Sequence, residues 1–263
     1  MAGVALAMAF GGWLVTPHDP NSLIGMPFGS PTWSSPLGFD YVGRDVLSRL
    51  LVGGRTSILI AAVGTAVGEA VGIAIGVYSA YRRGWVDALI GRTTDLVLGF
   101  PALVLSLLLL ATFGTSMVLV VVALVVTTAP GAARVSRAAA MSHVTAPYVE
   151  AAMMRGEPTR WILLGEVLPN LRRLILVDVG FRLTTSLVLV AALSFVGLGL
   201  QPPASDWGLM IGENRLGLTI QPLAVLAPSI AVIMLTVGIN LVLDQVHFAG
   251  DVGSGGSEAS AHV

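Results

Sequence analysis

The sequence predicts an all-α integral membrane protein with six transmembrane helices, and three observations carry that class. Of its 263 residues, 55% are hydrophobic and only 11% charged, whereas soluble domains carry roughly 25% charged residues. The apolar runs reach the ~20 residues that a helix needs to cross a bilayer. They are also continuous, without the short alternating segments of a transmembrane barrel.

The same composition excludes several functions. The net charge of −1 is uninformative about nucleic acid, and no basic patch is dense enough to argue for its binding. The absence of cysteine removes disulfides, thiol catalysis and Cys-ligated metals. His18, His143, His247 and His262 are scattered, so no spacing points to a metal. No G-x-x-x-x-G-K-[ST] occurs, so the chain is expected to hold no ATP by that route and no cofactor of its own. The spans show no nucleophile–base constellation, so the chain is not expected to be an enzyme.

Six apolar runs define the spans. Met1–Val15 covers only about 22 Å at 1.5 Å per residue; it lacks the basic flank of a signal peptide and is read as the outer part of a first span whose inner end is missing. Residues 16–57 form an external loop, rich in Pro, Gly and Ser in its first half. From Gly43 the pattern turns helical, with Val46, Leu47, Leu50 and Leu51 on one face and Asp45, Ser48, Arg49 and Arg55 off it. That pattern fits an amphipathic helix along the interface and equally a water-exposed loop helix. The second span covers about 58–78 and the third about 85–113, punctuated at Phe100-Pro101. The fourth covers about 117–139, with a kink expected at Pro130-Gly131. A charged segment, 143–170, separates it from the fifth span, about 174–200. An external loop, 201–221, precedes the sixth span, about 222–242. The transmembrane domain thus covers 1–246, and the Gly/Ser-rich tail 247–263 is expected to be disordered. With the N-terminus inside, eight arginines in the loops fall on the cytoplasmic side and four outside, which favours an N-in/C-in topology.

Within the second span Gly64, Gly68, Gly72 and Gly76 recur every four residues, beside a parallel row of Ala62, Ala66, Ala70 and Ala74. Residues four apart share one helical face, and small side chains in register let another helix come close. The reading is a packing interface. Charges inside spans are costly and must face protein or water. Asp178 and Arg182 stand i,i+4 with the acid first, the favourable orientation for a pair. They form either an internal lock or, with Glu69 at mid-span, the lining of a pathway for a zwitterionic substrate. Asp87, Asp95 and Asp244 lie nearer helix ends, where capping or snorkelling accounts for them.

The charged segment contains "EAAMMRGEPTRWILLGEVLPN", Glu150 to Asn170. Ala146–Arg155 reads as one short helix and Thr159–Leu168 as a second. Gly156 can take φ > 0 and close the first, Pro158 suits the first position of the second, and Pro169-Asn170 ends it. Ala151 and Ala152 offer a flat surface; Trp161, Leu164 and Leu168 form an apolar stripe at spacings of 3 and 4.

This stretch resembles the EAA motif of permease subunits of bacterial ABC importers, E-A-A-x(3)-G-x(11)-L-P. "GFDYVGRDVLSRLLVGGRTS" resembles that family's G-R-D-x-x-S-R segment, and "LGFPALVLSLLLLATFG" its F-P-containing third span. "LSFVGLGLQPPASDWGLMI" resembles the L-S-F-L-G-L-G…P-P…W-G region of the dipeptide/oligopeptide/nickel permeases, in their second, C-type, subunit. The similarity spans about Leu37 to Leu243. The chain departs from the pattern at Glu166, where His is common, at Pro158 and Thr159, where Ser or Asp is frequent, and in "NLVLDQV" near the C-terminus.

The resemblance implies a type I ABC importer permease fold in the inner membrane, with coupling helices between spans four and five. It implies that Glu150, Ala151, Ala152, Met154, Arg155, Gly156, Arg160, Trp161 and Leu164 contact an ATPase. The partners implied are a homologous second permease forming a heterodimer, two ATPase subunits that carry the ATP and Mg, an extracytoplasmic substrate-binding protein and membrane lipid. The substrates implied are di- and oligopeptides, with nickel chelates or haem as alternatives in the same class. A self-contained channel or secondary transporter is the competing class; breaks at Pro101, Pro130 and Pro228 without an internal repeat do not favour it.

Overall fold

The structure, a computed structural model, describes residues 3, 11, 12 and 15–258, with side chains inside the last helix described to Leu243. Most of the expected first span, Met1–Val15, and the last five residues of the expected disordered tail, 247–263, lie outside the described residues. All regular structure among these residues is helical, with only the isolated bridges Leu23 to Arg44 and Phe39 to Asp45. The chain divides into two compact units, 56–204 and 1–55 with 205–263.

The unit 56–204 contains most of α1 (Val46–Arg82), followed by α2 (Gly84–Leu98), α3 (Ala102–Phe113) and α4 (Met117–His143). Next come α5 (Pro147–Met154), a composite helix α6 over 159–170, and α7 (Arg172–Val196). The glycine row of α1 packs on α4 as its spacing predicts. A Cβ at Gly64 would meet Leu124, at Gly68 Thr128, at Gly72 Ala132 and at Gly76 Ser136. Both sets of numbers rise together, so α1 and α4 run in the same direction. If each spans the bilayer, the chain from 83 to 116 must return across it, so α2 and α3 together make one broken crossing. They meet at an angle of 87° around Gly99-Phe100-Pro101, where Pro101 has no N–H to continue the helix.

The alanine row behaves differently from expectation. Ala66, Ala70 and Ala74 are exposed and Ala62 is half-buried, because one glycine row already lets α4 approach. Pro130 stays inside an uninterrupted α4, and α7 runs antiparallel to α1, with Thr65 Oγ1 donating to Ser186 Oγ at 2.8 Å. Gly197, at φ 87°, closes α7 with its N–H on Ser194.

In the other unit α1 begins at Val46 behind Asp45, whose Oδ2 accepts from the Ser48 N–H at 3.0 Å and hydroxyl at 2.6 Å, an N-cap. The segment 46–57 is therefore the first turns of a 37-residue helix, not a separate interfacial one. Most of its supposed polar face is buried: Asp45, Ser48 and Arg49 are inaccessible, and Arg55 is exposed as expected. α8 (Trp207–Asn214), capped by Asp206 accepting from Leu209 N–H at 3.0 Å, is followed by α9 (Leu223–Glu258). The helical backbone of α9 continues into the tail whose Gly/Ser content predicted no regular structure. Including the broken pair, up to five spans satisfy length and hydropathy among the described residues.

Candidate functional site

The EAA segment folds as a helical hairpin with one face sealed and one face open. The inner face is short aliphatic. Val149 and Ala152 of α5, with Ile162 and Val167 of α6, are buried against Val77 and Ala80 of α1 and Ala140 of α4. Ala152, expected on the docking surface, is fully buried; a methyl side chain there lets α5 lie close to α1. The other expected contacts are open. Glu150, Ala151, Arg155 and Arg160 are exposed, as are Met154 (87%), Trp161 (55%) and Leu164 (65%). Met153 joins them at 44%, a contact that the E-A-A-x(3)-G pattern leaves as any residue.

The hinge follows the sequence closely. Gly156 stands at φ 74°, and the Glu157 N–H returns to the Ala152 carbonyl at 3.2 Å, closing α5 as a glycine C-cap does. Pro158 serves as N-cap of α6, not as its first residue: its carbonyl accepts from Trp161 N–H at 2.8 Å and Ile162 N–H at 3.2 Å. α6 ends at Asn170, as the Pro169-Asn170 pair predicts, with Pro169 inside its last turn. The helix runs Thr159–Trp161, widens to a π-helix over Ile162–Val167, and resumes over Leu168–Asn170. Pro169 cannot donate to the carbonyl four residues back and its ring crowds that turn; the wider turn absorbs both effects. The Asn170 side chain then caps the Glu166 carbonyl at 2.6 Å. Glu166, the departure from the family pattern, pairs with Arg155 at 3.4 Å and so ties α6 to α5. Arg155 also lies 3.8 Å from Glu157. The open face of α6 carries a shallow hollow of about 370 Å³ between Glu157, Arg160, Trp161 and Leu164.

Inside the spans, the three ionisable residues expected in a pathway meet. Arg182 Nε lies 2.9 Å from Asp178 Oδ2 and 2.7 Å from Glu69 Oε1. The Glu69 contact is close enough for an ion pair but is not aligned as a hydrogen bond. Glu69 is 2% exposed. The guanidinium lies across α4 at Gly131, where a Cβ would stand 2.4 Å from NH1. The two acids of α2 are also paired. Asp87 takes two hydrogen bonds from Arg137, one at 2.6 Å, and Asp95 takes one from Arg134. The side chain of Asp244 lies outside the described residues.

A second charged cluster, unforeseen in its partners, sits in the unit of 1–55 and 205–263. Asp40 Oδ2 accepts from Arg44 Nε at 2.7 Å and Arg49 NH1 at 2.6 Å. Glu213 Oε2 accepts from the same two residues at 3.3 Å and 2.8 Å. Two acids balance two bases, which makes burial of a fully inaccessible Arg49 tolerable. Beside it the Trp207 ring lies on Gly54, where a Cβ would come within 2.2 Å, and donates to the Leu50 carbonyl at 2.8 Å. The G-R-D-x-x-S-R-like and W-G-like segments are thus two halves of one packed element.

Comparison with known proteins adds the following. Residues 72–249 match the family described as binding-protein-dependent transport system inner membrane component. The glutathione transport system permease protein GsiD of Pectobacterium atrosepticum is 32% identical over 248 residues, 94% of this chain and 82% of that protein. GsiD of Escherichia coli O157:H7 is 32% identical over 84% of this chain and 73% of its own length. Among solved structures, the inward-facing MetNI methionine ABC transporter matches with a TM-score of 0.55 at 17% identity, over 75% of this chain and 96% of that one. At that identity the likeness speaks to fold alone.

Proposed function

Since the chain belongs to the family of binding-protein-dependent transport inner membrane components, the multi-pass permease subunits of bacterial ABC importers, we propose that it forms half of a translocation pathway for short peptides. A homologous permease completes the pathway, an external binding protein delivers the substrate, and two ATPase subunits supply ATP and Mg. The relatives named as glutathione permeases support a peptide substrate. The positive-inside count supports N-in/C-in orientation.

The observation that carries this reading is the hairpin 147–170, with its inner face buried on α1 and α4 and Met154, Trp161 and Leu164 exposed together. Exposed apolar residues grouped on a rigid element are a docking surface, and the buried face makes that element stiff. A push received on Trp161 passes through Ile162 and Val167 to α1 and α4 as rigid-body motion. Glu69, Asp178 and Arg182 belong to the pathway that this motion opens.

The test compares three variants of the assembled complex. Trp161→Glu and Leu164→Glu leave folding of the permease intact but lower co-purification with the ATPase and abolish ATP-driven uptake. Ala152→Glu instead destabilises the permease itself, because it forces a carboxylate into an apolar core. Uptake at the native rate in Trp161→Glu and Leu164→Glu would refute the docking role.

A further inference from the structure

The geometry points to a transit site for the terminus of a zwitterionic amino acid or short peptide, built on the outer edge of Arg182. It deepens the import reading above and rests on it. Arginine carries five N–H donors in a rigid fork. Glu69 and Asp178 hold the Nε side of Arg182, while the NH1 and NH2 hydrogens meet no acceptor among the described residues. These hydrogens lie on the accessible edge of a guanidinium whose other edge is held, so they are free to take an acceptor from outside the chain.

Space for one is present. Arg182 lines a cavity of about 360 Å³ with Thr127 and Thr185, closed on another side by Ala102 and Leu103 just after the broken turn. The size falls within the range of small-molecule sites. Of the four hydroxyls on its wall, those of Thr127 and Thr185 are committed as donors, Thr127 Oγ1 to the Ala123 carbonyl at 2.9 Å and Thr185 Oγ1 to the Arg182 carbonyl at 2.9 Å, while Thr128 and Ser186 line the same space. What Thr127 and Thr185 retain is lone pairs. The cavity therefore offers a bidentate cationic donor beside neutral acceptors, which suits a carboxylate adjoining an N–H group.

The charge count narrows the class further. The cluster holds two carboxylic groups against one guanidinium. A simple anion would add to that excess; a ligand with one anionic and one cationic end does not. The Nε contacts also fix the fork in place, so the site is preorganised without a strong net attraction. A transit site needs that balance, since a ligand has to leave as readily as it enters.

The chain contains no cysteine, which permits a direct test in the assembled complex. Thr185→Cys places a single thiol on the cavity wall without touching the ion cluster, and its maleimide labelling is followed by the mass of this chain. Labelling proceeds in the ligand-free complex, is slowed several-fold by millimolar trialanine, and is unaffected by trialanine amide. Adding Arg182→Lys, which keeps a cation near Glu69 and Asp178 but lacks the fork, removes the protection. A thiol that takes no label, equal protection by the amide, or unchanged labelling in a complex that does import trialanine each overturns the site while leaving the import reading standing. Absence of ATP-driven uptake of any peptide overturns the import reading, and the transit site with it.

Discussion

Arg49 illustrates what single residues do in this protein. The helical pattern from Gly43 places it on a polar face, and polar faces ordinarily meet water; here it is fully buried between Asp40 and Glu213. The sequence could not announce this, because Glu213 lies far away along the chain and charge alone does not reveal its partner. Removing one member of a buried charge cluster costs about 3–5 kcal/mol, because its partners stay behind without compensation. Arg49→Ala is therefore expected to lower the thermal unfolding midpoint of the purified permease substantially. Asp40→Asn combined with Arg49→Gln, which removes one charge of each sign, is expected to lower it less. Equal losses in the single and double variants would show that packing, not charge, dominates. Glu166 makes the same point in the opposite direction. It departs from the family pattern, yet the structure gives it Arg155 as a partner.

At the scale of elements the sequence was most informative where a period or a backbone constraint was at work. The four-residue glycine repeat marked the packing face of α1, though not α4 as the helix that meets it, and Gly156 marked the turn of the hairpin. The wide turn in α6 was not legible, since it arises from a helix that continues through Pro169, and proline more often reads as a stop. The glycines of α1 are also unequal in a way no repeat reveals. A Cβ at Gly76 would lie 2.3 Å from the Ala133 carbonyl oxygen, and one at Gly72 2.5 Å from that of Ala129. At Gly64 the nearest atom is the Leu124 Cδ1 at 2.5 Å, which can rotate away, and the fixed neighbour is the Leu124 Cβ at 2.7 Å rather than a carbonyl oxygen. Gly72→Ala and Gly76→Ala are thus expected to separate α1 from α4 and reduce stability in detergent, by more than Gly64→Ala does. Thermal melts of the three variants check the order.

For the molecule as a whole, hydropathy and length predicted six spans with the third punctuated; four continuous spans and the broken third stand among the described residues, and most of the first lies outside them. The 87° bend of the third depends on packing that periodicity does not encode. The exposed apolar stripe of the hairpin, the proposed docking face, was legible from the spacing of Trp161 and Leu164. The transit cavity was legible only in part: Asp178 and Arg182 share a helix, whereas Glu69, Thr127 and Gly131 reach them only through the tertiary fold.

The open face of the hairpin also bears on how long the protein lasts in a cell. Met154, Trp161 and Leu164 are exposed whenever the ATPase is missing, and such a patch on an orphaned subunit invites aggregation and proteolysis. A permease made in excess of its ATPase should accordingly turn over quickly, so that supply of the soluble partner sets its abundance. Pulse–chase measurement with and without co-expressed ATPase is expected to show a shorter half-life for the solitary chain. Trp161→Ser combined with Leu164→Ser should lengthen that half-life at the cost of transport. The proposed docking surface would then also act as a stoichiometry control, keeping incomplete transporters from accumulating in the membrane.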